Sequence, residues 1–246
     1  MYAPIGYAGP QPFNDWFVPD TTQRVVLGTK VTAVDPFWGW GEFLYIKSNA
    51  AILKGSIVQW GGSAIALGVV TAYLGTLLPS TTLLGMPFGV AMAPIPSGSF
   101  GWIMISGNAV YKTNATVAAD VSVAIAAAGI VGTNAAGKQL LNVRNTVAAT
   151  GTNTVTCQMT NGTGVLQTGG YDGFFIGMTL TAASGLPAST VVAALDPDGR
   201  RIYTGSAIGT LGDKNSTATQ SITLTGTYTG FGQGAIQYPF SQGAIT

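Results

Sequence analysis

Between Gly55 and Tyr111 the chain carries no charged residue. A run of that length is hidden from water in a membrane, a core or an interface. Its longest apolar piece, residues 64–78, is too short for a bilayer-spanning helix, which needs about 20 residues. Pro79, Pro87, Pro94 and Pro96 then interrupt the run. Buried strands or a subunit interface account for it better, and no membrane contact is expected.

Charge is scarce elsewhere too. Only 8% of the 246 residues are charged and the net charge is +1, against about 25% charged in ordinary globular chains. No basic stripe exists to neutralise phosphates, so nucleic acid is not an expected partner. A weakly charged surface also disperses poorly as a free monomer, which points to life inside an assembly. The 35 glycines, set among Ala, Thr and Val, suit short strands joined by tight turns. The expected class is all-β: a β-barrel or sandwich-like domain, a second small inserted β-domain, and extended termini.

The chain has no histidine and one cysteine, Cys157. An intrachain disulfide, a Cys/His zinc site and any imidazole-based triad are therefore excluded. The alternation from Thr154 to Met159 puts Cys157 in a strand, as a buried thiol. Glu42 is the single glutamate, and most aspartates sit beside Pro, Gly or Asn, which is turn chemistry. Asp196-Pro197-Asp198-Gly199 opens like a calcium loop but lacks the later ligands. The glycine-rich stretches contain no phosphate-binding Gly-Lys-Ser/Thr. No enzymatic activity, cofactor or metal is expected. The N-terminus lacks the basic and apolar regions of a signal peptide.

Residues 1–23 carry Tyr2, Tyr7, Phe13, Trp16 and Phe17 among Pro and Gly without periodicity. They read as an extended arm, packed either on a neighbour or back on its own domain. Strand signals follow over Val25–Val34, Glu42–Ser48, Ser56–Trp60 and Phe88–Ala93. Glu42–Ser48 alternates, with Phe43, Tyr45 and Lys47 on one face and Leu44 and Ile46 on the other. Residues 64–78 are ambiguous between helix and strand. Phe100–Ser106 and Ala109–Thr113 flank Gly107-Asn108, which predicts a tight hairpin. Val117–Ile125 and Gln139–Arg144 complete a β-rich domain over residues 24–147. At about residue 148 the composition shifts to Thr, Gly, Ser and Ala, predicting an inserted β-domain over 148–231. The tail 232–246 returns to aromatics and completes the first domain.

The densest aromatic cluster is Phe37, Trp38, Trp40, Phe43 and Tyr45. It reads as core, as an interface hot spot or, with less weight, as a sugar-stacking platform. With Phe13, Trp16 and Phe17 of the arm, Trp60, Trp102, and Tyr238 and Phe240 of the tail, these residues form the candidate interface.

Two stretches carry a family resemblance. Gly28–Lys47, GTKVTAVDPFWGWGEFLYIK, pairs Asp-Pro-aromatic-Trp-Gly with a Gly-Glu-Phe strand; Gly85–Lys112, GMPFGVAMAPIPSGSFGWIMISGNAVYK, continues the pattern. Both resemble capsid cement or decoration proteins of tailed bacteriophages, as does the ending from Gly234 to Thr246. Within the insertion, Gly177–Thr204, with Gly-Leu-Pro-Ala-Ser-Thr-Val-Val, resembles a small β-module of phage fibre and surface proteins. Leu186 and Ser189 depart from the more usual Ile-Pro-Ala-Gly-Thr. The resemblance implies a non-enzymatic protein on the outer capsid surface of the virion. Its partners would be the major capsid protein and copies of itself, arranged as a homotrimer. The alternative is a phage fibre, spike or adhesin component that binds host glycans.

Overall fold

The structure, a computed structural model, describes residues 3–4, 19–35, 39–61, 73–80, 85–114, 117–147, 150–159, 165–168, 174, 178–182, 186, 190–195, 201–204 and 220–241. The fold is all-β, and among the described residues no helix is long and apolar enough to cross a membrane. The chain divides into two compact units. One is Thr150–Thr229; the other takes Tyr2–Ala149 together with Gly230–Thr246.

The larger unit contains β1 (Ala3–Pro4), β2 (Lys30–Asp35), β3 (Gly39–Ser48), β4 (Ile57–Gln59), β5 (Leu74–Leu77), β6 (Phe88–Ala91), β7 (Phe100–Lys112), β8 (Val123–Ala127), β9 (Ile130–Thr133) and β10 (Leu140–Val147). The last strand of the chain, β17 (Phe231–Ser241), returns to it. The main sheet runs β1-β2-β3-β5-β4-β6-β7-β17-β10, and β3 also pairs with β7. That extra pairing closes β3-β5-β4-β6-β7 into a five-stranded ring. Closure removes sheet edges, which otherwise template unwanted pairing.

Alternation along the strands fills both sides of the ring. Leu44, Ile46, Val58, Ala91, Ile103 and Ile105 meet inside, with Ile52 and Ile95 joining them. A ring this narrow needs small residues facing inward. At Gly101 a Cβ would lie 2.6 Å from Ile95 Cδ1. Phe43, Tyr45, Ile57, Phe88, Val90, Trp102 and Met104 point outward into a second core. There they meet Val31 and Ala33 of β2, Val123 and Ile125 of β8, Val131 of β9, Val143 of β10 and Ile236 of β17. Burial on both faces explains why the described strands between residues 55 and 111 need no charge.

The structure corrects one turn. Gly107-Asn108 is no hairpin, because β7 runs unbroken from Phe100 to Lys112. Gly107 instead lies in the strand beside a β3–β7 bulge, with φ 118°, where a Cβ would come within 2.6 Å of the Trp40 carbonyl oxygen. The glycine serves close backbone approach between β7 and β3. Strand β2 starts at Lys30 rather than Val25, because Val26 and Thr29 form a turn closed by Thr29 N–H to Val26 O at 3.1 Å. Within residues 64–78 the described part contains a strand at Leu74–Leu77.

The second unit contains β11 (Thr150–Met159), β12 (Val165–Thr168), β13 (Thr179–Ala182), β14 (Val192–Leu195), β15 (Arg201–Thr204) and β16 (Gln220–Thr229). Their order is β13-β16-β11-β12-β15-β14. A bridge between Thr179 and Val191 joins the two outer strands. Leu180 N–H donates to Thr190 O at 2.8 Å and Val192 N–H to Met178 O at 2.9 Å. These six strands therefore close as well. Phe174, Met178, Leu180, Val192 and Ile202 are buried in this unit.

Candidate functional site

The sequence-named aromatics separate by register. Phe43, Tyr45 and Trp102 are buried, at 0%, 0% and 4% exposure. They are core residues and not interface residues as the sequence suggests: they face the outer core of the ring, where Tyr45 packs on Trp102 at 4.9 Å and stacks with Phe100 at 6.1 Å. Trp40, Tyr238 and Phe240 are exposed, at 64%, 49% and 38%. Trp60 is half-buried. Phe13, Trp16, Phe17, Phe37 and Trp38 lie outside the described residues, as do most of the arm and Pro36.

Strand pairing gathers the accessible aromatics at one end of the ring. Trp40 and Glu42 lie on the same face near the start of β3. Ser106 pairs with Glu42 on one side and with Gln237 on the other, so β17 arrives next to them across β7. Trp60 follows β4, and its backbone N–H donates to Pro87 O at 3.3 Å. Pro87 in turn bridges Phe240. Trp40, Trp60, Tyr238 and Phe240 come from three separated parts of the chain, and only the pairings bring them to this end.

The charged residues here are organised around Tyr238. Its hydroxyl donates to Glu42 Oε2. Lys30 Nζ lies 5.4 Å from the centroid of its ring, a cation–π contact. The bond to Glu42, and to a lesser degree burial, pushes the Tyr238 hydroxyl above its usual pKa. Tyr238 also has φ 44°, a left-handed backbone that is costly for a residue with a side chain. Lys30 and Glu42 were not candidates in the sequence. Their meeting depends on the β2–β3 register, in which Lys30 faces Leu44 and Thr32 faces Glu42, and on the end of β17.

A second polar group lies on the ring's outer side. Asp20, 8% exposed, accepts from the Tyr45 hydroxyl at 2.7 Å and pairs with Arg24 Nε at 2.7 Å. Its backbone exchanges two hydrogen bonds with Phe100, each 2.8 Å. Burial, then the bond to Asp20, pushes the Tyr45 hydroxyl well above its usual pKa. This group fastens residues 20–24 to the ring. Among the described residues, no group of three or more His, Cys, Asp or Glu is placed to hold a metal ion. The aromatic end offers apolar faces, one carboxylate and one ammonium. No family model matches the chain, and no match was found among curated proteins or solved structures.

Proposed function

We propose that the chain is a viral structural protein that binds the outside of a tailed-phage capsid and stabilises the shell by bridging major capsid subunits. One observation carries this reading: Trp40, Tyr238 and Phe240 are exposed at one end of a closed ring, whereas Phe43, Tyr45, Phe88, Phe100, Trp102 and Tyr111 are buried in its core. Exposed aromatics on a rigid support are the usual anchors of a protein interface. The resemblance of Gly28–Lys47 and Gly85–Lys112 to decoration proteins supports the same reading, as does the low charge. In this account the protein acts on the virion surface, as a homotrimer whose repeated weak contacts add up.

The test is to add purified protein to shells of the virus that lack it. Bound protein should raise their thermal stability, and Trp40→Ala should weaken binding by about 2 kcal/mol, the size of an interface hot spot. Absence of binding at every ionic strength would overturn the reading. A second reading, glycan binding, is favoured by the Glu42 carboxylate and Tyr238 hydroxyl set among aromatic rings. It predicts binding of the free protein to a glycan array, lost with the same Trp40 substitution.

A further inference from the structure

We propose that the end of β17 is an exchangeable strap, and that a second copy of this chain can supply it. After Gln237 leaves Ser106, β17 bulges at Tyr238, and the next residues run between two other segments. On one side Phe240 and Ser241 pair with Leu141 and Leu140 of β10. On the other, Phe240 bridges Pro87 and Ser241 is tied to Met86. Ser241 N–H donates to Met86 O at 2.9 Å, and Met86 N–H donates to Ser241 Oγ at 3.0 Å. Pro239 and Ser241 are buried in this slot.

Every one of these contacts is made to groups that an identical chain also carries. Exchange of the strap between two copies therefore keeps them, as in other swapped elements. What changes is the hinge. The β10–β17 register slips between Leu141 and Val143, and the slip leaves two residues with side chains in left-handed backbone, Tyr238 at φ 44° and Asn142 at φ 60°. Such conformations persist only where surrounding contacts enforce them. An extended hinge relieves Tyr238, and strained hinges favour swapping. The Tyr238–Glu42 bond and the Lys30 contact oppose release, but both are solvent-facing and weak. The occupant of the slot is thus the strap of the same chain or of a second copy, with the hinge setting the balance. The proposal stands apart from shell binding, since strap exchange requires no shell.

The test joins the strap to its slot in the full chain. Pro87→Cys and Phe240→Cys are combined with Cys157→Ser, and disulfides are formed at increasing protein concentration. Disulfides between chains, visible as covalent oligomers without reductant, are expected to grow with concentration. Because the new cysteines could themselves disturb the strap, light scattering of Tyr238→Ala and Tyr238→Gly in the otherwise native chain gives a second measure. Both lose the ring and its contacts, but glycine tolerates the left-handed hinge and alanine does not. The alanine chain should associate about tenfold more strongly, the equivalent of one relieved hinge residue. A chain ending at Gln237 should lose this association. Disulfides formed only within chains at every concentration, or equal association of the alanine and glycine chains, would overturn the proposal.

Discussion

At the scale of single residues, the buried hydroxyls make the sharpest predictions. Tyr111 donates to Asn145 Oδ1 at 2.7 Å, and Asn145 Nδ2 donates to Ala118 O at 2.5 Å. Tyr45 donates to the Asp20 carboxylate. Tyr45→Phe should cost about 2 kcal/mol in guanidinium denaturation, because a bond to a charged acceptor is lost; Tyr111→Phe, with a neutral acceptor, should cost about 1 kcal/mol. Both hydroxyls are pushed upward in pKa, Tyr111 by burial and Tyr45 by burial first. Burial pushes Lys54 the other way, down to about 8 from 10.5. Between those two values the unfolded chain holds a proton on Lys54 that the folded chain has lost, so stability rises with pH. Above about pH 10, the ordinary tyrosine value, the unfolded chain loses tyrosine protons that the folded chain keeps, so stability falls. Denaturation midpoints across this range should pass through a maximum near pH 10. Lys54→Met should flatten the rising side and leave the falling side in place.

At the scale of elements, the sequence and the fold part company in instructive places. Alternation in Glu42–Ser48 separated Phe43 and Tyr45 from Leu44 and Ile46, and those two sets do enter different cores. Alternation alone does not say that both faces are covered, since that depends on the β3–β7 pairing that closes the ring. The same limit applies to the aromatics. Trp40 and Phe43 are close in sequence, yet one is exposed and the other buried, because an odd spacing places them on opposite faces. Nothing local marks Tyr238 as the neighbour of Glu42. Gly107-Asn108 has the composition of a turn but runs on as strand beside a bulge, a distinction set by the approach of Trp40 and Gly41. This yields a test. Gly107→Ala should cost about 3 kcal/mol, since it adds both left-handed strain and a clash with backbone. Gly101→Ala meets the Ile95 side chain, Cδ1 at 2.6 Å and Cγ1 at 2.9 Å, but no backbone, and should cost about 1–2 kcal/mol. Chemical denaturation of the two variants measures the difference, and equal costs would argue against the bulge.

At the scale of the whole molecule, the insertion enters and leaves where a hairpin turn would otherwise sit. Val147 of β10 pairs with Gln233 of β17, so the strands on either side of the insertion are already neighbours. The inserted unit begins and ends with its own paired residues, Thr150 and Thr229. The compositional shift at about residue 148 lies beside this junction because the two units solve different packing problems. The larger one fills two cores with Ile, Val and aromatics, while the Thr- and Gly-rich segment forms a single small ring. Each ring closes through its own pairings, β3 with β7 in one and Thr179 with Val191 in the other. Neither closure uses a strand of the other unit. Joining Ala149 directly to Gly230 should therefore replace residues 150–229 with a short hairpin connection of ordinary length. The shortened chain should keep the near-ultraviolet circular dichroism of Trp102 in its buried site and unfold at a denaturant midpoint close to that of the larger unit in the full chain. Loss of that signal would mean that the larger ring needs the insertion in order to fold, and the independence of the two closures would be wrong.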